Sequence, residues 1–430
     1  MKAQSKIILD RFIGKPLACL LNLIVFPVGQ VFPAGHDDSP DKVKTIAIAK
    51  FLGMGSILRA TPLVKALKKK YPSAKYIIIT ALKNKALVEN IGLFDGFFYI
   101  RDTSFLSLFV DTVYLLFKLW QARIDLYFDL EVYSAFSTII TTLSLARNRY
   151  GFYTSSTMFR GQLNTHMVYF NDYQNISTIY LQFARACGIS ETDYKIQKVG
   201  IREQAKLELA NWMKKRNLSG KASYIVINPN ASDLLLERRW PLDYFVLLIN
   251  ALTLSWHNPI FIVGSPDENP YVTMLREKLS EQAKAFTVNL SGAVSLEATM
   301  ALIEKARLMI TNDSGLYHMA VSFGIPVISL WGPVRPQHYT DDRNENNIIF
   351  YSRKIYCSPC IHRTDFPPCR GNNVCMKSIS PKEVYRKACE ILEIMPDADT
   401  FSMDSIYETE CNKNFDIIVK SPQIKRKRKI

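Results

Sequence analysis

The sequence predicts an α/β protein built from two domains in tandem, each with a parallel sheet, and a cleft between them. Short apolar runs typical of buried strands alternate with helical patterns over residues 43–130, and again over residues 224–331. This alternation is typical of a parallel sheet with helices on both faces. The length of 430 residues fits two or three domains. A hydrophobic fraction of 48% with 22% charged residues excludes disorder, collagen and coiled coil for most of the chain.

The first series begins with the run VKTIAIAK at 43–50, which predicts a buried strand. A glycine turn at Gly53 and Gly55 follows, and then a helix over 61–70 with Pro62 in its first turn, where proline is tolerated. The remaining predicted elements are strands at 76–80, 97–100 and 126–130 and helices at 86–91 and 107–121. Residues 151–200 have mixed polar and aromatic character and interrupt the alternation.

The second series opens with a charged amphipathic helix over 201–217 and the strand YIVIN. Its predicted strands are 224–228, 259–263, 286–290, 307–311 and 326–331, with helices at about 241–254, 268–283, 295–305 and 314–323. The expected organisation is an N-terminal extension at 1–42, domains at 43–200 and 201–395, and a linker with a basic tail at 396–430.

The N-terminal extension resembles a signal peptide only in part. Four basic residues, Lys2, Lys6, Arg11 and Lys15, precede an apolar run that Pro27 and Gly29 interrupt, and Asp10 lies among the basic residues. Only Leu17 to Phe26 is densely apolar, and ten residues are too few to span a bilayer as a helix. We expect residues 1–35 to form a retained, partly amphipathic segment that lies on a membrane or on the protein itself. A cleaved signal is the alternative.

The net charge of +15 is concentrated at the C-terminus. Residues 420–430 contain six basic residues and no acid. Such a run is typical of a solvated, disordered end, and equally of a segment that contacts an anionic membrane surface. Nucleic acid is not expected as a partner, because no recognition motif accompanies the charge.

Four of the eight cysteines lie close together in the sequence, namely Cys357, Cys360, Cys369 and Cys375. Four cysteines match the ligand count of a structural zinc site, with His362 as a substitute ligand. Reduced thiols and disulfides are the alternatives. A large chain with otherwise scattered cysteines indicates a reducing compartment.

Small, polar or charged residues follow every predicted strand of the second series. The segments are Asn228-Pro229-Asn230-Ala231-Ser232, Gly264-Ser265-Pro266-Asp267-Glu268, Ser291-Gly292, Asn312 to His318, and Gly332-Pro333. Ligands of open parallel sheets bind beyond the carboxyl ends of the strands, so these segments predict one binding edge. Turn chemistry accounts for part of this pattern, because the same residue types favour turns.

The segment from Asn312 to His318 is the most informative of the five. A helix that begins near Ser314 offers free backbone N–H groups and the positive end of its dipole to an anion. Gly315 allows close approach of a phosphate, and His318 lies on the same helical face as Ser314. The alternative is an ordinary helix cap formed by Asp313 or Ser314, with His318 on the surface.

Two further polar features belong to the same predicted edge. Arg238 and Arg239 form a pair in a loop, and arginine binds phosphate with a forked geometry. The alternative is a solvated arginine pair. Asp267 or Glu268, after Gly264, is placed to accept hydrogen bonds from a ribose, or else to cap the next helix.

Several strings of the sequence resemble one known family, glycosyltransferase family 9, the ADP-heptose:lipopolysaccharide heptosyltransferases and their relatives. In the second series these strings are VINPNAS, RRWP, IVGSPDE, NDSGLYHMA and GIPVISLWGP. In the first series they are AKFLGMGSILRATPLVKALKKKYP and YFDLEVYSAF followed by RYGF. The resemblance covers about residues 43–390, and NDSGLYH is its most specific part.

The resemblance implies a GT-B fold, with two Rossmann-like domains facing each other across a cleft. It implies inverting transfer of a sugar from a nucleotide-diphosphate donor, held by the second domain, to an acceptor held by the first. Ser314, Gly315 and His318 would bind the diphosphate, and Asp313 would support that loop or the donor sugar. Arg238 would stabilise the leaving diphosphate and Glu268 would hold the ribose. Asn230 and Ser232 belong to the same implied donor site. No metal is required, because a basic residue and a helix N-terminus suffice for charge stabilisation.

One position departs from the family's pattern. Family members carry an aspartate after the glycine of the first loop. In this chain the loop reads Gly53-Met54-Gly55-Ser56, so a serine stands at that position. Serine cannot remove a proton from a sugar hydroxyl at neutral pH. Glu131 is the preferred replacement base and Asp129 the second, because both follow the predicted strand 126–130. The alternative for both is a surface or capping acid. The glycine loop itself would bind donor or acceptor through backbone N–H groups.

Three functions remain open on the sequence. The first is an inverting glycosyltransferase acting in the cytoplasm at the inner face of the inner membrane, on a glycolipid or oligosaccharide acceptor. The second, motivated by Ser56, is a catalytically inactive protein that binds a nucleotide-sugar. The third is a protein that binds a membrane surface or nucleic acid through its charge alone.

Overall fold

A computed structural model describes residues 3–31, 35–190, 193–218, 223–231, 235–340, 346–352, 354–361 and 367–397. Ser232, His362 and the basic tail at 420–430 lie outside these ranges, so the predictions made for them are not addressed below.

The first sheet has six strands, all parallel, in the order β3-β2-β1-β4-β5-β6. The strands are β1 (Thr45–Ala49), β2 (Lys75–Ala81), β3 (Gly96–Ile100), β4 (Leu126–Asp129), β5 (Asn148–Tyr153) and β6 (His166–Tyr169). The strand order reverses between β1 and β4. In doubly wound sheets this switch point opens the crevice in which ligands bind.

Helices cover both faces of the first sheet. They are α1 (Ala3–Leu9), α2 (Lys15–Val31), α3 (Met54–Arg59), α4 (Thr61–Lys70), α5 (Lys85–Val88), α6 (Phe105–Ala122), α7 (Ala135–Leu143) and α8 (Ile176–Ala186). Apolar residues of α4 and α8 pack with Ile46 and Phe128 on one face. Residues of α6 and α7 pack with Ala47 and Tyr127 on the other. This division follows from strand geometry, since successive side chains point to opposite faces.

The second sheet also has six parallel strands, in the order β12-β11-β10-β7-β8-β9. The strands are β7 (Ile225–Asn228), β8 (Ile260–Ile262), β9 (Thr287–Asn289), β10 (Leu308–Asn312), β11 (Val327–Trp331) and β12 (Asn347–Tyr351). The helices are α9 (Glu203–Lys214), α10 (Leu242–Ser255), α11 (Asn269–Glu277), α12 (Glu281–Phe286), α13 (Leu296–Glu304), α14 (Gly315–Phe323), α15 (Pro336–Tyr339), α16 (Val374–Lys377) and α17 (Pro381–Leu392). The two sheets confirm the predicted α/β class.

The structure differs from the predicted elements in several places. Residues 151–200, read as a break, contain the end of β5, all of β6 and α8. The helix predicted over 268–283 is divided into a 3₁₀ turn at Pro266–Glu268, α11 and α12. The division falls at Ser280, whose hydroxyl caps α12 by accepting from the N–H of Ala283. The strand β12 was missed because it lies beyond the last predicted strand, at the edge of the sheet.

The N-terminal apolar helix is longer than the sequence suggested. A π-helical turn at Asp10–Gly14 joins α1 to α2, and α2 continues through Pro27 and Gly29 to Val31. The stretch Ile7–Val31 is therefore long and apolar enough to cross a membrane, judged by length and composition alone, and so is α6. The sequence predicted an apolar run of only ten residues, too short to span a bilayer. That prediction was wrong about the length, because the helix continues through Pro27. The helix α6 was not recognised as a second such segment.

The two domains contact each other along the carboxyl edges of their sheets. The helix α3 packs against α14, and the side-chain amide of Asn175 donates to the carbonyl of Gln337 at 3.2 Å. Nδ1 of His338 lies 2.7 Å from the carbonyl oxygen of Gln174. The elements that follow β1 and β10 are thereby brought together.

Candidate active site

The amino end of α14 lies at the carboxyl end of β10, in the middle of the second sheet. Ser314 is the N-cap and its hydroxyl accepts from the N–H of Tyr317 at 3.4 Å. The amide of Asn228, at the end of β7, donates to the hydroxyls of Ser314 at 3.0 Å and Thr311 at 3.1 Å. Neighbouring strands therefore fix the cap, and the start of α14 at Gly315 lies beside Met54 of the first domain.

Gly55 and His318 are in direct contact across the cleft. A Cβ atom added to Gly55 would lie 2.0 Å from Cδ2 of His318. Gly315 is approached from the same side, because a Cβ there would lie 2.9 Å from Cε of Met54. Only glycine permits α3 and α14 to meet this closely. The loop with Gly53 and Gly55 and the segment from Asn312 to His318, both singled out in the sequence, thus pack against each other.

His318 is a buried, neutral imidazole. Burial lowers its pKa well below the usual value, and the positive charges of Arg59 and Arg238 lower it further. Its ring contacts the ring of Tyr317 edge to face, with centroids 4.8 Å apart. Nδ1 has no hydrogen-bond partner in the described part of the chain. A buried polar atom without a partner is uncommon and is typical of a functional site.

Arg238 and Asp313 form an ion pair beside α14, with Nη1 of the arginine 3.3 Å from Oδ2 of the aspartate. Burial raises the pKa of the Asp313 carboxyl, and Arg238 opposes this effect. Arg238 ends a 3₁₀ turn, and Trp240 anchors the chain that follows, because its N–H donates to Oδ1 of Asn312 at 3.1 Å. Arg239 turns away and lies over the ring of Tyr271 at 4.3 Å.

Glu131 lies on the opposite wall, directly after β4. One carboxylate oxygen accepts from the N–H groups of Phe51 and Leu52 at 2.7 and 2.8 Å, and the other is 2.8 Å from Nζ of Lys50. The residue is only 7% exposed. These contacts hold the carboxylate against the loop that leads into the first glycine turn.

Asp129 lies behind Glu131 and is completely buried. Its carboxylate accepts from the hydroxyl of Ser137 at 2.6 Å and from the N–H of Glu131 at 3.0 Å, and lies 3.5 Å from Nη2 of Arg160. Burial raises the pKa of Asp129 to about 6, although Arg160 acts in the opposite direction. With no exposed surface, this carboxyl has no access to an acceptor hydroxyl.

The first glycine loop has the backbone that its residues require. Gly53 has a φ of 83°, which L side chains rarely adopt. Ser56 lies close enough to Tyr180, a buried residue of α8, to lower the pKa of that phenol, against the larger effect of burial. Ser56 thus has a neighbour within the first domain.

Comparison with known proteins identifies the family. Residues 124–369 match the family model described as glycosyltransferase family 9 (heptosyltransferase), which is more than half of the chain. The chain belongs to glycosyltransferase family 9. This confirms the family that the sequence resembles and, with it, the class of enzyme.

Individual relatives are more distant. The chain is 32% identical to lipooligosaccharide heptosyltransferase 2 of Haemophilus influenzae over 130 residues, 30% of this chain and 37% of that protein. The match to lipooligosaccharide heptosyltransferase 2 of Campylobacter jejuni is 25% identical over 342 residues, 79% of this chain and 96% of that protein. The structure of the Escherichia coli ADP-heptose lipopolysaccharide heptosyltransferase II superposes with a TM-score of 0.66 at 18% identity, covering 82% and 99% of the two chains. This last likeness confirms the GT-B arrangement of the fold.

Two other residues predicted for the donor site have structural partners. The amide of Asn230 donates to the carbonyl of Val263 at 3.0 Å, and Asn230 is buried. Glu268 forms a capping box with Ser265, accepting from its N–H at 2.8 Å. For Glu268 of this family 9 protein, the structure therefore shows the helix-capping contact that the sequence analysis gave as the alternative to ribose binding.

Sequence reasoning missed four residues of the same region. Lys50 and Tyr180 lie near Glu131, Arg59 lies near His318, and Tyr339 lies near Asp313, Tyr180, Lys50 and Arg238. Lys50 carried a signal, because it is a charged residue directly after a buried strand. The other three carried none, since they come from helices that meet only in the folded molecule.

The cysteine cluster shows no metal site. Burial raises the pKa of Cys360 to about 11 and that of Cys375 to about 12, so both thiols are protonated at neutral pH. In the described ranges no group of three or more His, Cys, Asp or Glu residues is arranged to hold a metal ion. None of the four cysteines forms a disulfide within the described ranges, and zinc finds no support there.

Proposed function

We propose that this family 9 enzyme transfers a heptose or a related sugar from a nucleotide-diphosphate donor to a lipopolysaccharide-type or other lipid-linked acceptor. We further propose that the transfer inverts the anomeric carbon and needs no metal ion. The observation that carries the proposal is the packing of α3 against α14, with Tyr339 close both to Arg238 of the second domain and to Lys50, the partner of Glu131, in the first. Both relatives described above are heptosyltransferases by name, and the matched structure is that of an ADP-heptose-dependent protein.

The second domain supplies the groups that stabilise a leaving diphosphate. The first N–H groups of α14 and the positive end of its dipole favour an anion. Arg238 adds a cation that Asp313 holds in place. His318 is neutral and contributes a hydrogen bond rather than a charge. Negative charge that develops as the bond to the sugar breaks is then met by fixed dipoles and one cation, which is effective in a buried site.

Glu131 is the proposed general base on the acceptor side. A carboxylate has about four lone-pair positions, and the structure accounts for three hydrogen bonds to Glu131. One position is thus left for an acceptor hydroxyl. We assign Asp129 a positioning role instead, since it holds the N–H of Glu131 and faces Arg160.

The test is nucleotide release from ADP-, UDP- and GDP-sugars in the presence of a membrane extract. Arg238→Ala is expected to lower turnover by about two to three orders of magnitude, as loss of a group that stabilises developing charge does. Arg239→Ala is the matched control, because this neighbour lies over the ring of Tyr271, whereas Arg238 pairs with Asp313. Equal effects of the two substitutions would contradict the role given to Arg238.

Three further measurements address the finer parts of the proposal. Glu131→Gln keeps the shape of the side chain and should abolish turnover while leaving donor binding intact, whereas surviving turnover would exclude Glu131 as the base. The anomeric configuration of the product, read by NMR, tests inversion. Turnover in excess chelator tests independence of metal.

Ser56 favours a second candidate function, binding of a nucleotide-sugar without turnover. The position that holds an aspartate in the family pattern carries a serine here, close to Tyr180. Tight donor binding with no release on any acceptor would select this alternative. Cytoplasmic location and peripheral contact with an anionic inner membrane are proposed together with the transferase, because the acceptor would be anchored in that membrane.

A further inference from the structure

The N-terminal helix exposes an apolar face over most of its length. Large side chains at least half exposed include Phe12, Leu20, Leu23, Ile24, Phe26 and Val31. The opposite side is fixed to the first domain, where Ala18 is fully buried against α7. The amide of Asn22 also donates to the carbonyl of Phe159 at 2.9 Å, and Oδ1 of Asn22 accepts from the N–H of Gln162 at 2.7 Å. The helix is thus docked on the protein and apolar on its outside.

A second helix, α6, has the same character although it lies far away in the sequence. Its inner side packs on the sheet through Leu115 and Leu119. Its outer side exposes Leu106, Phe109, Val113, Tyr114, Phe117 and Trp120. These positions recur every three or four residues and form one stripe along the helix. A surface helix of a soluble domain normally carries polar side chains on that stripe.

The two helices with exposed apolar sides have a common neighbour. Both α2 and α6 pack against α7. Ala135 and Ile139 of α7 contact the α2 side, and Ile140 packs with the residues of α6. Nε1 of Trp120 also donates to the carbonyl of Leu143, at the end of α7, at 2.7 Å. We call the exposed surfaces of α2 and α6 together the two-helix face.

The charges at the two-helix face suit an anionic lipid surface. Its two acids are both occupied, since Asp10 accepts from N–H groups of α7 and Asp111 pairs with Arg101. Exposed or half-exposed cations, namely Lys15, Lys118 and Arg123, lie at the helix ends and flanks. Tyrosine and tryptophan, here Tyr114 and Trp120, are enriched where a protein meets the headgroup region.

We propose that the two-helix face docks in the plane of a lipid bilayer, with both helices lying in the interface and neither crossing it. An in-plane position follows from the fixed inner sides of the helices, because crossing would require α2 to leave α7. Long basic side chains at the flanks reach the headgroups while the apolar stripe enters the acyl region. An exposed apolar surface of this size and composition marks an interaction site.

Docking of this face would bring the acceptor site to the membrane. Asp10, in the turn between α1 and α2, caps the helix that begins four residues after Glu131. Arg160 donates to the carbonyl of Glu131 and ends the 3₁₀ turn that contacts α2. This part of the inference rests on the proposed function, since it assumes that Glu131 meets a lipid-linked acceptor.

The full-length protein carries its own reporter for the test. Of its five tryptophans, Trp120 lies on the two-helix face and the other four belong to the second domain. Vesicles of phosphatidylethanolamine and phosphatidylglycerol with brominated acyl chains should quench part of the fluorescence. Trp120→Phe should remove that quenching. Quenching that is absent, or that persists unchanged in Trp120→Phe, would overturn the proposal.

Paired substitutions test whether both helices take part. Phe109→Ser with Phe117→Ser on α6, and Leu20→Ser with Ile24→Ser on α2, should each weaken vesicle flotation about tenfold or more, because each removes large apolar surface from lipid. Leu207→Ser with Met274→Ser is the control, since these exposed residues lie on α9 and α11 of the second domain. If only the α2 pair weakened vesicle flotation, the proposal that both helices contact lipid would be wrong.

The remaining outcomes separate docking from catalysis and from self-association. Turnover on a water-soluble acceptor fragment should be unchanged in both pairs, whereas turnover on a vesicle-embedded acceptor should fall. Absence of turnover on either acceptor would refute the proposed function but leave the quenching result intact. A stable dimer in lipid-free solution, lost in both pairs and without quenching in vesicles, would assign the face to a second copy of the chain and refute docking on lipid.

Discussion

At the scale of single residues, the contact between Gly55 and His318 decides how closely the two domains approach. The imidazole occupies the space that any larger residue at position 55 would need. Because the neighbouring atoms belong to a buried ring, they cannot move aside as the end of a flexible chain does. The two domains would have to separate instead.

We therefore predict that Gly55→Ala lowers turnover about tenfold or more, as overpacking at a tightly packed contact costs about 1–3 kcal/mol. Gly29→Ala is the control, because a Cβ there meets no atom within 4 Å. Steady-state kinetics on a soluble acceptor, with thermal unfolding as a check of folding, measures both. Unchanged turnover in Gly55→Ala would show that the closed contact is not needed for catalysis.

His318 also predicts how stability depends on pH. Its pKa is lowered by burial in the folded protein, whereas in the unfolded chain it returns to 6.5. The unfolded state thus binds more protons below that value, so stability is fully present above it and is lost as the pH falls. The loss should reach about 1 kcal/mol near pH 5.5. His318→Gln should lose less stability than wild type between about pH 7.5 and about pH 5.5 in denaturant titrations. If wild type and His318→Gln lost the same amount of stability, groups other than His318 would account for the pH dependence.

The sequence was informative about residues that follow strands and silent about residues that meet only after folding. Glu131 and the Ser314–His318 segment could be placed at the binding edges of their sheets, because parallel strands all end at the same edge. Asp129 was grouped with Glu131 because both follow the predicted strand 126–130 and were expected to face the cleft. The structure buries Asp129 completely and leaves Glu131 7% exposed. The difference depends on Arg160, which no local pattern connects to β4.

At the scale of elements, the N-terminal helix is an integral part of the first domain. The carboxylate of Asp10 accepts from the N–H groups of Ala135 at 2.9 Å and Phe136 at 2.7 Å, at the amino end of α7. A negative charge there also interacts favourably with the helix dipole. In the sequence, Asp10 stands out only as an acid among basic residues. Its structural role could not be predicted, because its partners are more than a hundred residues away.

Asp10→Ala should consequently destabilise the attachment of α2 by about 1 kcal/mol, a typical cost of losing a helix cap. The expected signature is faster trypsin cleavage after Arg11, with smaller changes at other sites. Asp41→Ala, an exposed acid outside this contact, is the control. Identical cleavage patterns for the two variants would show that the cap does not hold the helix.

The elements that sequence reasoning found well were those with a single strong pattern. Buried strands such as β1 and β11 were located to within a few residues because an uninterrupted apolar run between turn residues has few other interpretations. The length of α2 was underestimated because Pro27 usually ends a helix in water-exposed contexts. Because the helix continues through Pro27 here, the apolar stretch is unbroken, and α2 can contribute its exposed side to the two-helix face.

At the scale of the whole molecule, two different forces are available for membrane contact. The net charge of +15 acts at a distance and is screened by salt, while the two-helix face acts only on contact and is not. The basic run at 420–430 supplies six of the positive charges. These contributions can be separated, because about 0.5 M salt shortens the Debye length to well below that at physiological ionic strength.

We predict that vesicle binding of the full-length protein falls with salt to a plateau rather than to zero. Deletion of residues 420–430 should remove most of the salt-sensitive part and leave the plateau, because each basic residue near an anionic surface contributes about 1 kcal/mol. Phe109→Ser with Phe117→Ser should lower the plateau and leave the salt-sensitive part. Flotation at a series of salt concentrations measures both. If binding vanished at high salt in wild type, attraction by charge alone would account for it, and the apolar face would have no part in bringing the cleft to the acceptor.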